Sequence, residues 1–183
     1  MNDNPPKTAR KIEPPFTDPL ISSFKAGDRV ELYGEIYTAR DAAHAKIVEM
    51  LKNGEKPPFD FAGQAVFYAG PCPAPPGKVI GSIGPTTSER MDAYSPFLIE
   101  NGLKVMIGKG ARNAEVKEAI VRRRGVYLIS IGGAAALTAK CVKSAEPVAF
   151  PELGTEAVRR LTVEGLPLIV AVDCEGRDIY DGH

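Results

Sequence analysis

Three short stretches hold the residues that could bind or activate a small anion. The first is Gly84-Pro85-Thr86-Thr87-Ser88-Glu89-Arg90-Met91-Asp92, where an apolar run delivers a glycine-containing turn onto an expected helix start. Free backbone donors and the dipole at a helix start favour a carboxylate or phosphate. The hydroxyls of Thr86, Thr87 and Ser88 add donors and acceptors, and Arg90 can grip an anion with two parallel bonds. Thr86 and Glu89 also match a capping box, in which the residues satisfy each other and bind nothing. The second stretch is Ile107-Gly108-Lys109-Gly110, where glycines allow close backbone approach and Lys109 supplies a point charge. It is not a Walker sequence, because Leu103 stands where the earlier glycine belongs and Gly110 replaces the Ser or Thr. A surface turn with a solvated lysine has the same spelling.

The third stretch, Thr38-Ala39-Arg40-Asp41-Ala42-Ala43-His44, places Arg40 and His44 one helical turn apart, so they can share a face. Asp41 suits the first turn through the helix dipole. A capped helix with an exposed arginine and a structural histidine is the plain alternative. Only His44 and His183 are histidines, and neither a GxSxG nor an HExxH pattern accompanies them. Cys72, Cys141 and Cys174 are far apart and include no CxxC pair, so the spacing favours incidental thiols over a cluster or disulfide framework. No metal site is expected in this chain.

The elements that must position these stretches follow from periodicity. Alternation predicts extended chain over 29–38, and Ala42, Ala45, Ile47, Val48 and Leu51 give 41–52 a helical apolar face. Further strands are expected at 64–70, 78–83, 104–108 and 126–131. Helices are expected at 88–100, 113–124, with Asn113 as cap, and 134–142. Three strands at 157–164, 166–172 and 177–180 follow, separated by Glu164-Gly165 and Cys174-Glu175-Gly176 turns. Residues 1–26, with prolines at 5, 6, 14, 15 and 19, form an extended arm, and order begins at Gly27 in a domain spanning 27–183. The fold class is α/β, a single domain with a mixed sheet and flanking helices.

The 183 residues carry 23 Lys+Arg and 23 Asp+Glu, a formal net charge of zero. That balance argues against a general nucleic-acid or anionic-membrane surface. No apolar run approaches the ~18–20 residues of a membrane span. The N-terminus lacks a basic flank followed by an apolar core, so a cytoplasmic location is expected.

Taken together, the motifs are more specific than any one alone. GPTTSERMD followed by GKG resembles the β subunit of class I iron–sulfur hydro-lyases, the family of class I fumarase (fumarate hydratase) and L-tartrate dehydratase. The resemblance runs from about Asp28 to Tyr180. It includes TARDAAH at 38–44, YAGP at 68–71, PPGKVIGSIGPTT at 75–87 and GGAAAL at 132–137. It implies a swivelling β/β/α domain that works with an α portion holding a [4Fe–4S] cluster on three cysteines. The implied reaction adds water to, or removes it from, a small dicarboxylate such as fumarate or malate, a step of the tricarboxylic acid cycle. Carried over by position, the resemblance makes Arg40, Arg90 and Lys109 the substrate clamp and Thr86 the proposed base. Thr87, Asp92 and His44 then have supporting roles. The expectation is therefore a β subunit of a hetero-oligomeric fumarate hydratase, active only with its α subunit. L-tartrate dehydratase is the alternative substrate reading, and a noncatalytic small-anion-binding module the alternative class.

Overall fold

Three short strands, β3 (Ala65–Phe67), β4 (Val105–Gly108) and β5 (Val126–Ser130), run parallel and are buried on both faces. Their near-continuous apolar spelling follows from that, since a parallel sheet must be covered on each side. The structure is a computed structural model and describes residues 9–130 and 135–181. Strand β2 (Arg29–Thr38) lies parallel to β3, with Val30, Leu32 and Ile36 buried at alternating positions. The long strand β7 (Val158–Val172) closes the sheet. It pairs antiparallel with β2 along one edge and with β5 and β6 (Val142–Ala149) along the other. Strands β2, β3, β4, β5 and β7 thus form a closed five-stranded barrel in a mixed sheet.

Alternate residues of each strand feed two cores. Ala65, Phe67, Val105, Ile107, Val126 and Leu128 pack on one face with Leu161, Leu166 and Leu168 of β7. Val66, Tyr68, Met106 and Tyr127 pack on the other against three helices, α2 (Asp41–Lys52), α3 (Ser95–Glu100) and α4 (Ala114–Arg123). Helix α4 starts where Asn113 accepts the Val116 N–H at 2.9 Å, and its last turn carries Arg122 and Arg123 against the dipole's negative end. Among the described residues, no helix is long and apolar enough to cross a membrane.

The α/β class and most elements match expectation, and the exceptions have physical causes. Ordered structure begins before Gly27. Strand β1 (Arg10–Ile12) pairs with β2, and helix α1 (Asp18–Ser22) is capped by Thr17. Ile12, Phe16, Ile21 and Phe24 are all core residues. Residues 78–83 form no strand, because Gly81 packs against the Cys72 and Pro73 carbonyls and the segment folds back onto the proline loop. The helix expected over 88–100 is split into a 3₁₀ turn, Ser88–Met91, and α3, with Pro96 in the first turn, where a missing N–H costs nothing. Glu164-Gly165 is not a turn. It is a bulge, with Gly165 at φ 67°, inside one continuous β7. Residues 177–180 form turns with a single bridge, Val172 to Asp178. Strand β6 was not among the expected elements, and helix α5 (Ala135–Cys141) precedes it. Gly132-Gly133 lies outside the described residues.

Because Phe24 is 1 % exposed within the core, Phe24→Ala is expected to cost about 3–5 kcal/mol in urea unfolding, far more than truncating a side chain on a loose arm.

Candidate functional site

Strands β2, β3 and β4 end side by side at Thr38, Phe67 and Gly108, and the chain leaving each end carries a motif. Carboxyl ends of adjacent parallel strands are where α/β folds expose backbone and side chains to ligands. Arg40 follows β2, Tyr68-Ala69-Gly70 follows β3, and Lys109 follows β4. The 84–92 segment is stitched across the same edge. The Thr86 N–H donates to the Tyr68 carbonyl at 2.6 Å, and Ser88 N–H to the Lys109 carbonyl at 2.9 Å. Bridges pair Ala69 with Pro85 and Thr87 with Lys109. Four sequence-distant candidates, Arg40, Thr86, Arg90 and Lys109, are thereby carried by loops at one rim of the sheet.

The charges at this rim are coupled. Arg90 Nε donates to Asp41 Oδ1 at 2.8 Å, and Arg40 Nη2 lies 3.6 Å from Asp41 Oδ2 and 3.4 Å from Glu156 Oε1. Arg90 keeps half its side chain exposed, and Lys109 and Thr87 are also exposed. Arg40 Nε is buried with no hydrogen-bond partner among the described residues. Gly70 makes room for this arginine, because a Cβ there would lie 3.1 Å from Arg40 Cδ and 2.8 Å from the Thr155 carbonyl. Glu156, absent from the sequence expectations, also accepts the Ala42 N–H at 2.9 Å and so caps α2 from a distant segment. No local spacing could have announced it.

Beneath the rim lies a second set of groups. Ser88 Oγ accepts the Lys109 N–H at 3.1 Å and lies 2.7 Å from Tyr127 Oη. Tyr127 Oη is also 2.9 Å from the Gly110 carbonyl, which can only accept, so the phenol donates there and Ser88 donates to the phenol. Burial raises the Tyr127 pKa. A Cβ on Gly108 would collide with Ser88 Oγ, which explains that glycine. Asp92 is buried and bonded to Arg112 Nε at 2.7 Å, with its other oxygen accepting the Asn113 N–H at 2.9 Å. Arg112 went unnoticed in sequence. Its only signal was a charge sitting between a glycine turn and a helix cap.

His44 is fully buried on α2, with Nδ1 2.9 Å from the Arg40 carbonyl and its ring edge-on to Tyr68. Burial, with a smaller push from Arg112, lowers its pKa to about 4, against the opposing bond to Arg40. The imidazole is therefore neutral at pH 7, and Nδ1 donates to the carbonyl. The expected capping box does not form. The cap position of the 3₁₀ turn falls on Thr87, which makes no side-chain cap bond, and Thr86 lies one residue outside it. The three thiols are free and remain apart. Cys72 is exposed in the proline loop, and Cys141 packs near the Leu137 and Gly165 carbonyls. Among the described residues no group of three or more His, Cys, Asp or Glu is placed to hold a metal ion. Among the described residues, Cys72, Cys141 and Cys174 lie on separate segments and no ligand set for an iron–sulfur cluster is brought together.

A family model described as the fumarase C-terminus matches residues 6–183. The chain belongs to that family. Among curated members, fumarate hydratase 2 of Leishmania major is 44 % identical over 162 residues, 87 % of this chain and 28 % of that protein. The aerobic class I fumarate hydratase of Escherichia coli K12 is 41 % identical over the same length, 30 % of its chain. This fumarase C-terminus chain thus spans less than a third of those relatives. A putative L(+)-tartrate dehydratase subunit beta of Methanocaldococcus jannaschii is 44 % identical over 167 residues, 88 % of this chain and 86 % of its own. These relatives are hydro-lyases.

The sign of the His44 effect follows from its lowered pKa. Unfolded, the imidazole takes a proton near 6.5, and folded it declines one until about 4. Stability is therefore expected to fall as pH drops through that window, by up to about 1.4 kcal/mol per unit, and this contribution then levels off. His44→Asn should flatten that part of the profile when urea unfolding is compared at about pH 5 and about pH 7. An unchanged profile would exclude His44 as its source.

Proposed function

We propose that this chain is the β subunit of a heteromeric class I fumarate hydratase, a cytoplasmic enzyme half that is active only with an α subunit. The observation that carries the reading is the meeting of Arg40, Arg90 and Lys109 with Thr86 at one rim. Three cations and a threonine share that rim, two of the cations paired with Asp41 or Glu156, on a chain whose net charge is zero. A dicarboxylate has two anionic ends, and arginine forks with a lysine point charge suit one of them. Arg40 Nε, buried and unpartnered, is a donor that a carboxylate oxygen would satisfy.

The [4Fe–4S] cluster of this reading belongs to the α subunit, since no group among the described residues fits it. What the β residues do can be stated without it. Arg40, Arg90 and Lys109 fix one carboxylate and with it the adjacent carbon. In the dehydrating direction Thr86 Oγ, its own proton first passed to a carboxylate of the α subunit, takes the proton from that carbon. The hydroxyl of the neighbouring carbon departs as hydroxide while the double bond forms. A free threonine hydroxyl is a weak base at pH 7, so the surrounding cations must stabilise negative charge on its oxygen. A carboxylate from the α subunit assists. Thr87, beside it, supports the loop, while His44 and Asp92 hold neighbouring groups in place.

L-tartrate is the second substrate reading, favoured by the Methanocaldococcus relative of matching length. Anaerobic assays of the chain alone and co-purified with an α subunit separate these readings. Fumarate hydration by the cluster-loaded complex alone supports the first, and tartrate dehydration without fumarate turnover the second. Dicarboxylate binding by the lone chain, without turnover in any complex, would favour an anion-binding module. In the active complex, Thr86→Ala is expected to abolish turnover with assembly retained, and wild-type turnover would remove Thr86 from the chemistry. Lys109→Ala should raise KM more than it lowers kcat, and no change in either would make Lys109 a bystander.

A further inference from the structure

Arg112 leaves the Gly108-Lys109-Gly110 turn three residues after Lys109, and its side chain is entirely removed from water. Nε donates to Asp92 Oδ1 at 2.7 Å and Nη2 to Ser95 Oγ at 2.6 Å. The guanidinium carbon lies 5.4 Å from the Tyr68 ring centre and 4.9 Å from that of Tyr127. Asp92 closes the 3₁₀ turn that carries Arg90, and Ser95 begins α3 just beyond. Tyr68 receives the Thr86 N–H on its carbonyl, and Tyr127 bonds both Ser88 and Gly110. Asp92, Ser95, Tyr68 and Tyr127 thus lie on or beside the segments that carry the clamp residues, and among the described residues no hydrogen bond or ion pair joins Arg112 to Arg40, Thr86, Arg90 or Lys109.

A buried ion pair adds little net stability, because desolvation cancels much of its attraction. What a planar fork held on two acceptors and between two rings does supply is a fixed distance and angle between the segments it joins. We propose that Arg112 is a positioning residue that sets the spacing of Lys109 from Thr86 and Arg90. This rests on the hydro-lyase reading for its kinetic consequence, while the spacing itself does not depend on it.

Arg112→Lys keeps a charge facing Asp92 but loses the second donor to Ser95 and the flat contact with the tyrosines. In the complex with the α subunit, kcat/KM for fumarate should fall about ten- to a hundredfold, through both a higher KM and a lower kcat. In the same protein, amide exchange followed by mass spectrometry should accelerate in 84–92 and 106–111 and stay unchanged in β7. Lys117→Met, which removes ion pairs to Asp178 and Asp181 elsewhere on α4, is the matched control, expected to lower the melting temperature with kinetics intact. If Arg112→Lys lowers only the melting temperature, with kinetic constants and segment exchange at wild-type values, the proposal is overturned. Should that variant fail to fold, Ser95→Ala removes one anchor alone. A severalfold loss of kcat/KM with faster exchange supports the proposal, and wild-type values in both refute it. A wild-type complex inactive on fumarate and tartrate would sink the enzymatic reading, and the exchange comparison would then decide the spacing alone.

Discussion

A guanidinium taken out of water must be matched on all sides, and that demand organises the region around Arg112. Its charge requires a carboxylate, supplied by Asp92, and further donors find Ser95 and, at longer range, the Tyr68 hydroxyl and the Met106 sulfur. Its flat faces are covered by Tyr68 and Tyr127. Burial alone would pull the Arg112 pKa down, but Tyr68 and Asp92 outweigh it and raise the value. Tyr68 follows β3, Tyr127 lies in β5, and Asp92 and Ser95 sit together where the 3₁₀ turn leads into α3, so meeting the needs of one side chain ties three segments around the rim. Gly108 is part of the same constraint, because the space a Cβ would need is occupied by Ser88.

Above this buried layer the ion pairs are of another kind. The Arg90–Asp41 pair is half exposed on the arginine side, where solvent screening leaves such contacts worth about 0–1 kcal/mol. An arginine held that loosely can exchange one carboxylate for another at small cost. Arg40 is held more closely, with Gly70 against its stem and Glu156 at its tip. The rim therefore combines a rigid floor with side chains free to reorganise around an anion, an arrangement consistent with the proposed clamp.

Much of this was legible in the residues. Helix α2 runs from Asp41 to Lys52 because its apolar period and its Asn53-Gly54 stop are local signals. The Asn113 cap and the short parallel strands were equally local. The GPTTSERMD, GKG and TARD stretches could be singled out by their own chemistry, although nothing in their spacing fixed that they meet. What escaped notice was non-local. Glu156 reaches α2 from a segment 114 residues away. Strand β6 contains Pro147 and polar residues because it borders only β7 and needs little apolar alternation. Arg112 drew no attention, since its burial depends on two tyrosines and an aspartate from elsewhere in the chain. Phe16, Ile21 and Phe24 were obscured by the prolines around them, which mark irregular backbone but do not determine where its side chains go.

Strand β7 has a further consequence, for the order in which the protein is built. Its fifteen residues hydrogen-bond to β2 on one edge and to β5 and β6 on the other, and its partners in β2, from Thr38 opposite Arg159 to Arg29 opposite Ile169, lie far earlier in the chain. A chain emerging N-terminus first has β2, β3, β4 and β5 available long before β7, and until β7 arrives one edge of β2 and one of β5 stay open. Folding of this sheet is consequently a late and slow event, governed by loop closure over long separations. The loops that carry Arg40, Thr86 and Lys109 are synthesised early, whereas Glu156, which pairs with Arg40 and caps α2, comes only with the segment that leads into β7.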